Sequence, residues 1–413
     1  MKYFLLIIAA FGITLSSNSE EIQVSAKGEN EVSESVYFEL ENLAEVARHS
    51  NDNWDLAFAA TDVRRAFIHT NRKYTVYVVP NSDFDTFGNE IDTEGYTEWE
   101  ITANSESQWN HGSLNLGKDG FENNDFDYGW GAYDISTHYV LGDKVFLLVS
   151  QDDMKQLVID RLASNEYVFK WANTDGTNIQ EGRVSKVDGT VPLFVKYDFE
   201  TNESFLTPDI STYDLVFEKY NSFIPGPNQY YPVTGIRSAP GVEVAELRGV
   251  DPNSAFAPSM DAEIWSTNIT EIGSDWKQFA GGGYTIPDDL VYFVRRTNES
   301  GEVVGNVYRI IPKNFGSDIS TLEIRVEGGN VEESSQTLVN VYPNIVESGQ
   351  QINLDAVTIW DGASITITDI KGNNIAQNEY FAGNINTTNL ASGKYFVTIS
   401  NNGSIFRTQF IVK

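Results

Sequence analysis

The chain carries four histidines, His49, His69, His111 and His138, and no cysteine. A site that needs an imidazole ligand or proton carrier at neutral pH must draw on those four. His111 sits in the segment WNHGS, two residues after Trp109, whose ring could stack on a flat ligand; the alternative is an exposed loop residue. His138 sits in STHYV, where the alternative is a core histidine bonded to backbone near the turn Leu141-Gly142-Asp143. His69 follows Phe67 and Ile68 and is expected on a strand surface, whereas His49, between Arg48 and Ser50, is expected in solvent. Without cysteine there is no disulfide, no thiolate metal site and no cysteine nucleophile.

Hydrolytic chemistry has little to build on. The chain holds no G-x-S-x-G elbow, no H-E-x-x-H and no phosphate loop in strand–helix context, so a non-enzymatic role is expected. Gly281-Gly282-Gly283 reads as a loop tip. With 59 acidic residues, carboxylate pairs arise everywhere, and pairing alone does not exclude an extracellular hydrolase. In GFENNDFDYG, Asp125 and Asp127 could hold calcium, although the D-x-[DN]-x-[DN]-G spacing is missing. Trp99 and Trp109 could form a sugar-stacking platform or seal a core edge. Trp54 and Trp130, whose counterparts in an internal repeat are Tyr213 and Trp276, are expected in the core.

What must position these residues is β-structure. Short runs of Val, Ile, Tyr and Phe alternate with polar residues, and Gly and Asn clusters separate them. Asn42 to His49 is the one helical candidate, and Asp153 to Leu157 reads as a turn. The formal charge of −31 is spread along the chain. Such a field repels nucleic acid and anionic lipid heads, and it is compatible with cations or neutral sugars.

The middle of the chain says one thing twice. SVYFELEN at 35–42 and DNWDLAF at 52–58 are answered by FVKYDFET at 194–201 and STYDLVF at 211–217. Trp130 precedes Val145 by 15 positions, as Trp276 precedes Val291. The repeat predicts that Tyr37, Asp55, Trp130 and Val145 fall on Tyr197, Asp214, Trp276 and Val291, in two β domains spanning 28–185 and 186–328. Residues 81–128 and 222–288 read as long irregular loops, and 329–337 as a linker.

The tyrosine strand leading into NWDLAF, the pair Thr70-Asn71 and the segment DYGWGAYDISTHYVLGDKVFLLV at 127–149 resemble the HmuY-like family of haem-binding proteins. The resemblance covers about residues 30–325 as two copies, and is stronger in the first. It implies an all-β fold and, for some members, capture of haem by two axial side chains. Haem iron takes His, Met, Cys or Tyr, so His111, His138 and Met154 are the axial candidates. Unlike the best-studied members, the chain has no lipoprotein cysteine.

Both ends carry export signals. Lys2 followed by the apolar run Tyr3–Leu15 and small residues describes a signal peptide, residues 1–19, cleaved between Ser17 and Glu21. The run is too short to span a membrane, and no other stretch is long enough. At the other end, Ile365, Ile367 and Ile370, then Tyr395, Val397 and Ile399, then Phe406, Phe410 and Val412 alternate with polar residues as strands do. NVYPN at 340–344, DIKGNNI at 369–375, SGKYFV at 392–397 and the terminal FIVK resemble the type A C-terminal sorting domain of the type IX secretion system. The resemblance implies a partner in that machinery, export across the outer membrane, and release or surface attachment.

The expected architecture is therefore all-β: two tandem HmuY-like domains, then a small immunoglobulin-like β-sandwich sorting domain at 338–413. The expected role is a secreted or surface binding protein with haem as a candidate ligand. The alternative is a structural or adhesive protein whose acidic, aromatic loops bind glycans or matrix.

Overall fold

Four strands open the folded chain: β1 (Glu20–Ser25), β2 (Glu34–Glu39), β3 (Ala44–Ser50) and β4 (Leu56–Ala59). Side chains alternate across a strand, yet all four residues of β4 and the inner four of β2 are buried. Strands buried on both faces must lie between two further layers. The computed structural model shows those layers. It describes residues 19–28, 32–61, 65–115, 127–188, 191–224, 229–260, 262–329, 340–355, 364–369, 374–378, 384–388, 390–401 and 404–413. The described residues form an all-β protein with no α-helix. Of the expected signal peptide all but residue 19, of the expected linker all but residue 329, and Asp125 lie outside them.

One sandwich is continuous in sequence. After β4 come β5 (Ile68–Thr70), β6 (Thr75–Val78), β7 (Ile101–Thr102), β8 (Gly131–Asp134) and β9 (Tyr139–Gly142). Then follow β10 (Val145–Val149), β11 (Met154–Ala163), β12 (Glu166–Asn173), β13 (Gln180–Ser185), β14 (Phe194–Tyr197) and β15 (Ser204–Leu206). One sheet runs β13-β12-β11-β10-β6-β7, with the β8–β9 hairpin attached to β11; the other runs β15-β14-β4-β5. Phe58, Ile68, Trp130, Phe146, Phe169 and Tyr197 fill the space between them.

The other sandwich is assembled from both sides of the first. It uses β1 to β3 together with β16 (Leu215–Ile224), β17 (Gln229–Ser238), β18 (Val242–Arg248) and the small hairpin β19 (Gln278–Ala280) and β20 (Gly283–Thr285). It closes with β21 (Leu290–Thr297), β22 (Val303–Gly316) and β23 (Ile319–Gly329). The sheets are β1-β23-β22-β21-β18 and β17-β16-β2-β3, around Val36, Phe38, Phe217, Ile236, Trp276 and Tyr292. Gly281 and Gly282, both at positive φ, form the tight β19–β20 turn that a larger residue would strain.

The two repeats exchange hairpins. β2–β3 from the first half pairs with β16, and β14–β15 from the second half pairs with β4. The expected boundary at 185/186 therefore falls inside one sandwich, between β13 and β14. The boundary shifts because the open edges of β4 and β16 are each filled by the other repeat's hairpin. The registers also correct the repeat alignment. Leu56 faces Tyr197 and Leu215 faces Phe38, so Phe38 is the counterpart of Tyr197, and Tyr37 that of Lys196. A shift of one residue moves a side chain to the opposite face: Tyr197 and Phe38 enter the sandwich cores, while Lys196 and Tyr37 face the layer between the sandwiches. Trp130 and Trp276 are fully buried, one in each core, as the repeat predicts.

Three local expectations are overturned. Asn42–His49 is no helix; most of it belongs to β3, paired with β2 from Glu34↔Ser50 to Glu39↔Ala44, because tertiary pairing overrides weak local propensity. Asp153–Leu157 enters β11 instead of turning. The 222–288 stretch contains β17 and β18.

The C-terminal unit is built from β24 (Asn340–Tyr342), β25 (Ile345–Val346), β26 (Gln351–Asp355), β27 (Ser364–Asp369), β28 (Asn374–Asn378), β29 (Asn384–Asn386), β30 (Gly393–Asn401) and β31 (Ser404–Val412). Its sheets run β24-β26-β29 and β25-β31-β30-β27-β28. Ile365, Ile367, Tyr395, Val397, Phe410 and Val412 point into its core, as the alternation requires. Ile370 lies outside the described residues. No described helix is long and apolar enough to cross a membrane.

Candidate ligand-binding cavity

Because β4, β14, β2 and β16 are buried on both faces, their second faces meet in a layer between the sandwiches. From β4 and β14 this layer receives Ala57, Ala59, Phe194 and Lys196; from β2 and β16 it receives Ser35, Tyr37, Val216 and Glu218. Ala57 and Val216 are small, and a cavity of about 220 Å³ opens beside them. Its rim includes exposed Ile101 and Pro232 and half-buried Tyr230.

One wall is the loop 104–115, held against β5 as a substitute strand. Asn104 Nδ2 donates to the Thr70 carbonyl at 2.8 Å, its Oδ1 accepts from Thr70 N at 3.2 Å, and Asn115 Oδ1 accepts from Ile68 N at 3.0 Å. At Gly112 a Cβ would collide with the Ile68 carbonyl, so only glycine allows this approach. The loop carries Trp109 across to the other repeat, where its Nε1 donates to the Ser238 carbonyl at 2.8 Å.

The loop also buries His69, which was expected on a strand surface. The His69 ring packs 4.7 Å from Phe194, and its Nε2 lies 2.8 Å from the Trp109 carbonyl. Burial pushes its pKa down to about 3, against the opposing pull of that hydrogen bond, so the ring is neutral at ordinary pH. His49 is half-buried rather than solvated, edge-on to Tyr37 and Phe205.

Charge in the cavity is concentrated on Arg237, Glu218 and Lys196. Arg237, the register counterpart of His69, stacks 4.0 Å from the Trp109 ring centroid and donates through Nε to Glu218 Oε1 at 2.8 Å. Glu218 Oε2 accepts from Ser35 Oγ at 2.6 Å. Burial opposes the Glu218 carboxylate, but Arg237, Lys196 and Ser35 outweigh it and hold its pKa below the usual range. Lys196, 4% exposed, extends its ammonium 4.6 Å from the Trp54 ring centroid and makes no hydrogen bond or ion pair among the described residues. Burial lowers its pKa to about 8, against the attraction of Glu218. Trp54, 7% exposed, also lines the cavity, and its indole N–H has no acceptor among the described residues.

The predicted ligand residues do not line this cavity. His138 sits at positive φ in the β8–β9 turn, its Nδ1 2.8 Å from the Tyr133 hydroxyl. His111 is buried in the 104–115 loop, and Met154 begins β11 opposite Val149. Asp127 Oδ1 accepts from Gly129 N at 2.8 Å, as turn chemistry requires. No cluster of three His, Asp or Glu suited to a metal ion occurs among the described residues. Trp54 and Trp130 are core residues, Trp99 is half-buried, and Trp109 is a cavity wall.

Sequence reasoning passed over Lys196, Glu218 and Arg237. A signal was present: in LFVKYDF, Phe194 shares one strand face with Lys196 while Val195 and Tyr197 take the other, so apolar groups occupy both faces and the lysine has none left for solvent.

Residues 340–413 match the secretion system C-terminal sorting domain family. A search of curated proteins gave no match. Among solved structures, PorZ, a surface component of the type IX secretion system of Porphyromonas gingivalis, is similar at 11% identity and a TM-score of 0.17. That similarity covers 65% of this chain and 50% of PorZ, so the chain spans about half of PorZ's length. Extracellular domains 3–5 of Drosophila OTK are similar at 12% identity and a TM-score of 0.14, over 60% of this chain and 70% of theirs. TM-scores this low carry no inference about the cavity.

Proposed function

We propose that this chain, exported by virtue of the type IX sorting domain at 340–413, is a non-enzymatic binding protein that captures a small molecule in the cavity between its two sandwiches. The observation that supports this most is a polar–aromatic cavity that reaches the surface and contains a buried lysine whose ammonium lies over the Trp54 ring and makes no hydrogen bond or ion pair among the described residues. Ligand sites are concave, largely apolar and furnished with a few convergent polar groups. At about 220 Å³ the space is smaller than the ~300–1,000 Å³ usual for drug-sized ligands, so it suits a compact molecule and not a porphyrin. Haem is therefore a poorer fit than the family resemblance implies.

The test is thermal denaturation of the mature protein against a panel of small metabolites, with haemin included. A binder raises Tm in the wild type and not in Ala57→Phe, which fills the cavity. A panel in which every shift survives Ala57→Phe would remove the cavity from the proposal. Export is tested separately: deletion of 340–413 leaves the protein inside the cell envelope, and its full appearance in the medium would sink the sorting role.

A further inference from the structure

We propose that the cavity takes a small monocarboxylate, its carboxylate bound by the Lys196 ammonium and the Trp54 indole N–H and its apolar body resting on Ala57, Phe194 and Val216. This rests on the reading of the cavity as a ligand site. The two donors are neighbours, with Lys196 Nζ 4.6 Å from the Trp54 ring centroid, and neither has an acceptor among the described residues. A buried polar group without a partner is costly, and a buried cation more so. Both lack the same thing, an acceptor, and a carboxylate supplies two charged acceptor oxygens.

The other charges near the cavity are already matched. Glu218 gives one oxygen to Arg237 and the other to Ser35, Arg72 pairs with Asp52 through a terminal nitrogen while its Nε has no acceptor among the described residues, and Lys219 pairs with Asp318 at 2.8 Å. Glu106, at the half-buried edge, accepts from Ser222 Oγ at 2.6 Å and Phe223 N at 2.7 Å. Among the described cations that line the cavity, Lys196 is thus the one without a carboxylate partner. Size narrows the class further: a cavity of about 150 Å³ is enough for benzene, so about 220 Å³ admits a ring or short chain bearing one carboxylate.

The experiment is calorimetric titration of the mature protein with benzoate and with benzyl alcohol, its uncharged analogue. Wild type is expected to bind benzoate at least tenfold more tightly than Lys196→Met does, with Lys196→Arg retaining most of the affinity and benzyl alcohol binding both proteins alike. Equal benzoate affinity in wild type and Lys196→Met, or binding of benzyl alcohol but not benzoate, overturns the carboxylate while leaving the cavity as a site. Binding of neither probe to the folded wild type, with folding verified by near-ultraviolet circular dichroism, overturns both.

Discussion

Asp55 and Asp214 do the same work at equivalent points of the two repeats, and each does it for the other's hairpin. Asp55 Oδ2 accepts from Phe199 N at 2.5 Å, and Asp214 Oδ2 accepts from Leu40 N at 2.8 Å. Their backbone N–H groups donate to Tyr197 and Phe38, each 2.8 Å away. Each carboxylate is also paired, Asp55 with Lys73 and the Tyr74 hydroxyl nearby in sequence, Asp214 with Arg296 of β21.

Replacing either aspartate by alanine strands a buried N–H and a cation together. Asp55→Ala and Asp214→Ala are each expected to cost roughly 3 kcal/mol, read as a lower urea midpoint. Asp55, only 4% exposed at its side chain against 15% for Asp214, should be the costlier loss.

The hairpin exchange predicts which fragments fold. A fragment running from Asn51 to Asp209 contains every strand of the continuous sandwich and should give a cooperative thermal transition. A fragment of 28–185 lacks β14 and β15, leaves β4 with an open edge, and carries β2–β3 without a partner. It should be insoluble or molten. Two equally stable fragments divided at 185/186 would refute the exchange.

His69 sets an acid slope. Its folded pKa is lowered to about 3, against about 6.5 when unfolded, so between these values the unfolded chain binds the extra proton. Its contribution is fully present above pH 6.5 and is lost as pH falls towards 3, a few kcal/mol in all at ~1.4 kcal/mol per unit. His69→Gln, which keeps a donor for the Trp109 carbonyl, should flatten the stability–pH curve across pH 3–6.5.

Lys196 acts in the alkaline range. With its pKa lowered to about 8, the folded protein sheds this proton before the unfolded chain does, so stability from this group rises with pH between about 8 and 10.5. The charged and titratable groups felt there are Glu218, Arg237, His49 and His69. Lys196→Met should raise stability at pH 7 by about 2 kcal/mol and abolish that rise. No gain in Tm at pH 7 would mean that the ammonium is well solvated where it lies.

The parts legible in the sequence are those governed by neighbours along the chain. Tyr395 and Val397, or Phe410 and Val412, reveal their inward face through alternation alone, and the core of the C-terminal unit follows. Trp54 and Trp130 were legible through the repeat. What stayed hidden depends on distant partners. Nothing beside Tyr37 shows that it lies across from Val216, and the difference of one residue between the Tyr37–Asp55 and Tyr197–Asp214 spacings was the sole trace of the shifted register. His69 became a cavity residue because a loop more than thirty residues later covers it. The axial candidates rest on side-chain chemistry alone, which says nothing about convergence.

The insertion of one sandwich between β3 and β16 also orders events in time. During synthesis the continuous sandwich has all its strands once Leu206 emerges, whereas β2–β3 must wait for Leu215 and beyond. Until then the first hairpin carries an unpaired edge and two bare faces, Val36 and Phe38 on one and Tyr37 on the other. Long-range pairing of this kind is slow, and exposed edges aggregate. The species most open to aggregation before Leu215 is made is thus a half-finished protein, one folded body trailing a sticky N-terminal hairpin, and not a featureless unfolded chain.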